Sequence, residues 1–189
     1  MVTAAFYTLG CKVNQYETEA MIKLFKNNQY EIRSFEDYAD VYVINTCTVT
    51  NLGDRKSRQM IRRAKKINPY SIVIVVGCYV QTAPEEVKAI EGVNIIVGTD
   101  QRNKIIDLIH QYEEERKTVN AVDDIMNVRT FEELSVHQLE GRTRAYLKIQ
   151  EGCNQYCSYC IIPYARGPIR SRHPENIMNE VRNLVKNGF

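Results

Sequence analysis

Ile72-Val73-Ile74-Val75-Val76-Gly77-Cys78 reads as the clearest buried strand in the chain: five β-branched residues run without a polar break and stop at a glycine. A continuous apolar run of this length is what a strand covered on both faces requires. Working outward, Val41-Tyr42-Val43-Ile44 repeats the pattern and ends at Asn45-Thr46-Cys47. Residues 2–8 (VTAAFYT) form another strand, followed by Leu9-Gly10-Cys11-Lys12-Val13; residues 30–35 and 94–97 supply two more. Helical patterns lie between them. The first covers residues 14–28, with Asn14 as N-cap, Glu17 placed as in a capping box, and Ala20, Met21, Leu24 and Phe25 as its apolar stripe. The second covers residues 53–67 and stops before Pro69. A third opens near Thr82 or Ala83, with Pro84, Glu85 and Glu86 in its first turn; a fourth runs from a cap at Thr99 or Asp100 to Tyr112. Alternating strands and helices with continuous apolar strands predict an α/β fold, a doubly wound parallel sheet over residues 1–113.

The cysteines gain meaning from that fold. Cys11, Cys47 and Cys78 each lie one to three residues beyond the C-terminal end of a different predicted strand. Open parallel sheets bind ligands at that edge, so three residues far apart in sequence are expected to converge on one site. The plainer alternative is that free cysteines are small buried hydrophobes. Such cysteines would fall inside strands or on helix faces as often as past strand ends.

Composition bounds the rest. The 189 residues allow one or two domains, and 44% apolar with 25% charged residues is ordinary for a globular protein. A net charge of +2 requires any nucleic-acid contact to come from local patches. The start, Met1-Val2-Thr3-Ala4-Ala5-Phe6, has no basic region, long apolar run or cleavage site, and no stretch reaches the apolar length of a membrane helix. A reducing cytoplasm is the expected compartment, and there the six cysteines point to metal or redox chemistry rather than disulfides.

Residues 114–140 change in texture: a charge run, few apolar residues, and one short strand near residues 118–122, read as a linker. The second unit spans residues 141–189. Its strand over residues 144–150 alternates Ala145, Leu147 and Ile149 with polar residues, and Gly152-Cys153-Asn154-Gln155-Tyr156-Cys157-Ser158-Tyr159-Cys160 follows at once. A loop over residues 161–168 leads to a helix over residues 174–186 with Ile177, Val181, Leu184 and Val185 as its apolar face. One strand and one helix cannot bury a core alone, so this reads as the truncated first β/α unit of a larger barrel.

Three cysteines at C-x3-C-x2-C spacing cannot complete a site that normally takes four protein ligands. Either a distant residue completes it or a position is left open. His173 is one candidate, but it stands well past the triplet, directly before a helix-opening proline, and fits better as an exposed helix-start residue. The triplet between a strand and a loop resembles the cluster loop of the radical S-adenosylmethionine (radical SAM) enzymes. Thr8-Leu9-Gly10-Cys11-Lys12-Val13-Asn14-Gln15-Tyr16-Glu17, Asn45-Thr46-Cys47-Thr48-Val49-Thr50 and Val76-Gly77-Cys78 resemble the three cysteine loops of the methylthiotransferase N-terminal domain. Ile161-Ile162-Pro163-Tyr164-Ala165-Arg166-Gly167 and Arg170-Ser171-Arg172 resemble the radical SAM start of the same family.

The resemblance implies a fold, cofactors and partners. It implies two [4Fe–4S] clusters, one on Cys153, Cys157 and Cys160, and an auxiliary one on Cys11, Cys47 and Cys78 that holds the transferred sulfur. It implies that S-adenosyl-L-methionine takes the open position at the first and is cleaved there to a radical, with Tyr159 packing near its adenine. The cysteines are then ligands, and no residue is a catalytic nucleophile or base. The wording of the Cys11 and Cys47 loops resembles the branch that adds a methylthio group to C2 of N6-threonylcarbamoyladenosine beside the tRNA anticodon. The isopentenyladenosine branch and the ribosomal-protein aspartate branch are the alternatives within the family. The partners implied are tRNA and an electron donor such as flavodoxin or ferredoxin, with no membrane and no DNA. The span read here, without the rest of the barrel, is expected to be inactive alone.

Local charge agrees with RNA. Arg55, Lys56, Arg58, Arg62, Arg63, Lys65 and Lys66 crowd one helix, and Arg166, Arg170 and Arg172 form a second basic cluster beside the triplet. A solvated basic face is the plainer reading of each. A reading of another class is a non-catalytic RNA-binding module whose triplet holds zinc.

Overall fold

A computed structural model describes residues 1–48, 51–134 and 145–189, with only the backbone described at Asn51 and Leu52. Residues 49–50 of the second cysteine loop, residues 135–140 of the expected linker and the start of the second unit up to residue 144 lie outside the described residues.

Six strands form one parallel sheet. In chain order β1 (Thr3–Thr8) is followed by α1 (Lys12–Asn27), β2 (Glu31–Arg33), β3 (Val41–Thr46), α2 (Asn51–Ile67) and β4 (Ile72–Gly77). Then come α3 (Cys78–Thr82), α4 (Pro84–Lys88), β5 (Ile95–Val97), α5 (Ile105–Glu115) and β6 (Val119–Ala121). The sheet order is β2-β1-β3-β4-β5-β6, with every neighbouring pair parallel. The chain winds one way from β1 to β2, then crosses back and winds the other way from β3 onward. This is a doubly wound sheet, and its direction reverses between β1 and β3.

Successive side chains of each strand enter different cores. Val73 and Val75 join Tyr42, Ile44, Met60 and Ile61 on the face covered by α2. Ile72, Ile74 and Val76 join Val41, Val43, Met21, Phe25 and Ile105 on the face covered by α1 and α5. Both faces of β3 and β4 are fully buried, which explains why their sequences lack polar alternation.

Four expectations about elements change. Helix α1 starts at Lys12, with Cys11 at the N-cap and no side-chain cap bond. Asn14 and Glu17 form no capping box; both are fully buried inside the helix and engaged by distant partners. A helix, α3, begins at Cys78, ahead of the Thr82 or Ala83 start, while Pro84 does occupy the first position of α4. The sheet continues past residue 113, because β6 pairs with β5 and takes Val119 into the core. A 3-10 turn, Ile125–Asn127, follows it, and Glu132 and Leu134 are buried.

Among the described residues of the second unit the strands are β7 (Gln150–Glu151) and β8 (Arg170–Ser171), paired antiparallel. Arg172 N donates to Ile149 O at 2.9 Å, extending that pairing by one bond, but residues 145–149 form no strand of their own. The expected loop over residues 161–168 contains α6 (Ile162–Arg166). Helix α7 (Pro174–Lys186) starts after the exposed His173. No helix among the described residues is long and apolar enough to cross a membrane.

Candidate functional site

Strand register brings the first three cysteines to one edge. Thr8 pairs with Asn45, and Thr46 pairs with Gly77, so β1, β3 and β4 end nearly level. Cys11 follows β1 at the N-cap of α1, Cys47 directly follows β3, and Cys78 directly follows β4. Adjacent strands are about 4.8 Å apart, so level ends place the three loops side by side. They flank the point where the winding of the sheet reverses, outside the carboxyl ends of the strands, which is where such sheets take ligands.

Two asparagines staple these loops. Asn14 Nδ2 donates to Leu9 O and Thr46 O, each at 2.8 Å, and Asn45 Nδ2 donates to Asn14 O at 2.9 Å. Cys11 Sγ lies 3.6 Å from Asn14 Oδ1. Thr46 Oγ1 donates to Val76 O at 2.6 Å, tying the β3 end to β4. Gly10 has φ +102°, and a Cβ there would stand 2.7 Å from Cys47 Cβ and 2.9 Å from its Sγ. The first loop therefore lies directly against Cys47, and only glycine permits that approach. Cys11 is exposed, Cys47 half-buried and Cys78 buried. Burial pushes the Cys78 thiol up, and the Arg166 guanidinium beside it acts in the opposite direction.

The second triplet follows a tight turn that needs glycine. Gly152 has φ +82°, and a Cβ there would meet Pro168 O at 2.1 Å. Cys153 N donates to Gly167 O at 3.0 Å, and Cys160 N donates to Cys157 O at 2.9 Å. Cys157 is exposed, Cys153 and Cys160 are half-buried, and Tyr159 is 90% exposed. No group of three or more His, Cys, Asp or Glu among the described residues is placed to hold a single metal ion. A cluster of four irons is larger than one ion, so its ligands stand farther apart. Three soft sulfur donors at neighbouring strand ends, beside buried positive charge, suit such a group in donor chemistry.

That charge lies in a buried ionic network linking the two units. Glu17 of α1 is fully buried and meets Arg102 Nη1 at 2.5 Å, Lys148 Nζ at 2.8 Å, and Arg166. Glu151 meets Lys148 at 2.8 Å and Arg166 at 2.6 Å, and Glu132 meets Arg102 at 2.7 Å. Burial alone would raise the Glu17 carboxyl, but Arg102, Arg166 and Lys148 together hold it well below the usual carboxylate range. The expected basic cluster of Arg166, Arg170 and Arg172 is thus not a surface for RNA. All three are buried: Arg166 and Arg170 lie in this network, and Arg172 pairs with Glu180 and Glu133.

Sequence reasoning missed Glu17, Arg102, Lys148 and Glu151. One signal was available: Glu17 sits three and four residues before Ala20 and Met21, in line with the apolar stripe of α1. A charge in that stripe must be buried with partners. The basic helix α2 does face solvent. Arg63 pairs with Glu36, and Arg58 pairs with Glu86 at 3.1 Å and donates to Tyr79 Oη at 2.7 Å. Arg55, Lys56, Arg62 and Lys66 are exposed, with no ion-pair partner among the described residues.

Residues 3–98 match the family described as "Uncharacterized protein family UPF0004", and residues 147–189 match the radical SAM superfamily. Cys11, Cys47 and Cys78 fall within the first match and the triplet within the second. The chain is 58% identical to the threonylcarbamoyladenosine tRNA methylthiotransferase MtaB of Bacillus subtilis, over 100% of this chain and 42% of that protein. It is 45% identical to the protein of the same name from Aquifex aeolicus, over 98% of this chain and 45% of that one. It is 31% identical to a tRNA-2-methylthio-N(6)-dimethylallyladenosine synthase of Clostridium botulinum, over 96% of this chain and 41% of that one. The chain spans less than half the length of each of these relatives.

Proposed function

Since the chain belongs to the UPF0004 family and matches the radical SAM superfamily in its last segment, we propose that it is part of a tRNA methylthiotransferase that modifies C2 of N6-threonylcarbamoyladenosine beside the anticodon. One observation carries this reading. Three cysteine loops meet at one sheet edge, and the segment that follows the second triplet docks against them through Arg166. The higher identity to relatives named for threonylcarbamoyladenosine, against the lower one to the dimethylallyl relative, supports the choice of adenosine.

In this reading Cys11, Cys47 and Cys78 hold one [4Fe–4S] cluster, and Cys153, Cys157 and Cys160 hold a second, with S-adenosyl-L-methionine beside the latter. When bound, these groups supply one-electron cleavage of S-adenosyl-L-methionine and a sulfur for transfer. The residues of the chain arrange that chemistry. Asn14 and Asn45 keep the three loops at fixed spacing, and Gly10 lets Cys47 lie against the first of them. Tyr159 offers an exposed ring beside Cys160 on which the adenine of S-adenosyl-L-methionine packs. The exposed cations of α2 contact tRNA phosphates. A flavodoxin or ferredoxin supplies the electron, and the cytoplasm is the compartment of such a reaction.

The test is the full-length protein, anaerobically reconstituted and given tRNA, followed by nucleoside mass spectrometry. A methylthio increment on threonylcarbamoyladenosine is expected; the increment on isopentenyladenosine, or on a ribosomal protein alone, overturns the substrate. Colourless protein that carries zinc and no acid-labile sulfide overturns the cluster reading. Cys157→Ala is expected to abolish deoxyadenosine formation while iron remains on the first trio.

A further inference from the structure

Arg166 follows the second cysteine triplet in sequence, yet its side chain is spent on the first domain. Its Nη2 donates to Asn14 Oδ1 at 2.7 Å and to Glu17 Oε2 at 3.1 Å, while Nη1 contacts Glu17 and donates to Glu151 Oε1 at 2.6 Å. Helix α6, which ends at Arg166, packs against α3, which begins at Cys78, so the guanidinium also acts on the buried Cys78 thiol. Asn14 Oδ1, which accepts from Arg166, also lies 3.6 Å from Cys11 Sγ, so the Arg166 charge stands close to two of the three first-domain cysteines.

We infer that Arg166 is a positioning residue for the group held by Cys11, Cys47 and Cys78, placing a buried positive charge beside its sulfur ligands from the radical SAM segment. This inference rests on the cluster reading proposed above.

The charge count supports it. Among the described residues of the network, the buried cations are Arg102, Lys148, Arg166 and Arg170, against the buried carboxylates Glu17, Glu132 and Glu151. One positive charge is left over in a place shielded from water. A buried surplus is costly unless an anion stands next to it. Outside the network Arg166 faces Asn14 and Cys78, and a site built from three thiolates is anionic. Docking the two units does not by itself explain the geometry. Arg102 and Lys148 already face Glu17, and a cation used only for docking has no need of a thiol.

A positive charge beside a ligand sulfur favours the more negative, reduced state of an iron–sulfur cluster and raises its reduction potential. Arg166 therefore raises the potential of the first-domain cluster. It also couples that potential to the seating of the radical SAM segment, which carries the arginine.

The experiment uses the full-length protein with Cys153→Ala, Cys157→Ala and Cys160→Ala, so that only the first trio can hold a cluster. It is reconstituted anaerobically and titrated with dithionite and mediators, the one-electron couple being followed by electron paramagnetic resonance. With iron and sulfide per chain unchanged, the midpoint is expected to fall from arginine to Arg166→Lys and further to Arg166→Gln. In protein labelled with 15N-arginine, a nitrogen coupling is expected on the signal of the reduced cluster. This measurement needs no substitution at position 166 and decides the matter if the variants do not fold. Equal midpoints at full iron content, or no nitrogen coupling, overturn the role of Arg166 and leave the cluster reading intact. No iron on the first trio of the unsubstituted position overturns that reading and this inference together.

Discussion

Lys148 Nζ stands 2.8 Å from Glu17 Oε1 across 131 residues of sequence, and both side chains are buried. Glu17 lies on the helix that follows the first cysteine; Lys148 lies just before the second cysteine group. The same carboxylate also meets Arg102 and Arg166. One glutamate thus anchors the sheet domain to the segment that carries the triplet.

Glu17→Gln removes the negative charge that three buried cations share. Breaking a buried ionic cluster from one side costs about 3–5 kcal/mol, because the remaining charges stay desolvated. The loss should be read by urea unfolding of the full-length protein. A cost below about 1 kcal/mol, the range of exposed pairs, would show that the network is open to water.

Acid should weaken the same junction. Lys148, Arg166 and Arg102 overcome the effect of burial on Glu151 and hold its carboxyl below the usual range, as they do for Glu17. Groups whose folded pKa is depressed contribute stability above the unfolded value, about 4.3 for glutamate, and that stability is lost as pH falls through the folded pKa. Glu132 runs the other way: burial outweighs Arg102 and raises its carboxyl, so its contribution is present below the unfolded value and is lost as pH rises through the folded one. Unfolding midpoints measured against pH should therefore fall on the acid side, less steeply in Glu17→Gln and more steeply in Glu132→Gln. The reverse order of slopes would contradict the assigned signs.

Gly10→Ala places a Cβ 2.7 Å from that of Cys47 at a residue with φ +102°. Left-handed backbone at a non-glycine residue costs of order 1–3 kcal/mol, and Cys47 must also shift. Iron on the first trio should drop while iron on the Cys153 triplet stays. Unchanged iron per chain would mean that the close approach of the loops does not matter for the site.

Arg62→Ala combined with Lys66→Ala removes two exposed cations of α2 that no described carboxylate holds. If they touch phosphates, tRNA affinity falls alike for all sequences, and the slope of log affinity against log salt drops by about 1 per lost contact. An unchanged salt slope would take α2 out of the RNA surface.

Residues 72–78 show how far sequence reaches. Strand periodicity, helix stripes and glycine or proline stops are local properties of adjacent residues, so β1, β3, β4 and the doubly wound order of elements were legible. Given parallel strands, cysteines just past strand ends had to gather at one edge, and Cys11, Cys47 and Cys78 do lie there. Of the strand expected at residues 144–150, the described part keeps only Gln150, the start of β7, because backbone without a facing strand forms no ladder. The charges were misread for a related reason. Whether an arginine faces water or a carboxylate depends on what packs over it, and the partners of Arg166 lie 15, 149 and 152 residues away. Chain order carries no record of such distances. Only folding, which removes water from Glu17, Glu151 and their cations together, decided that Arg166 belongs beside Cys78 rather than on the surface.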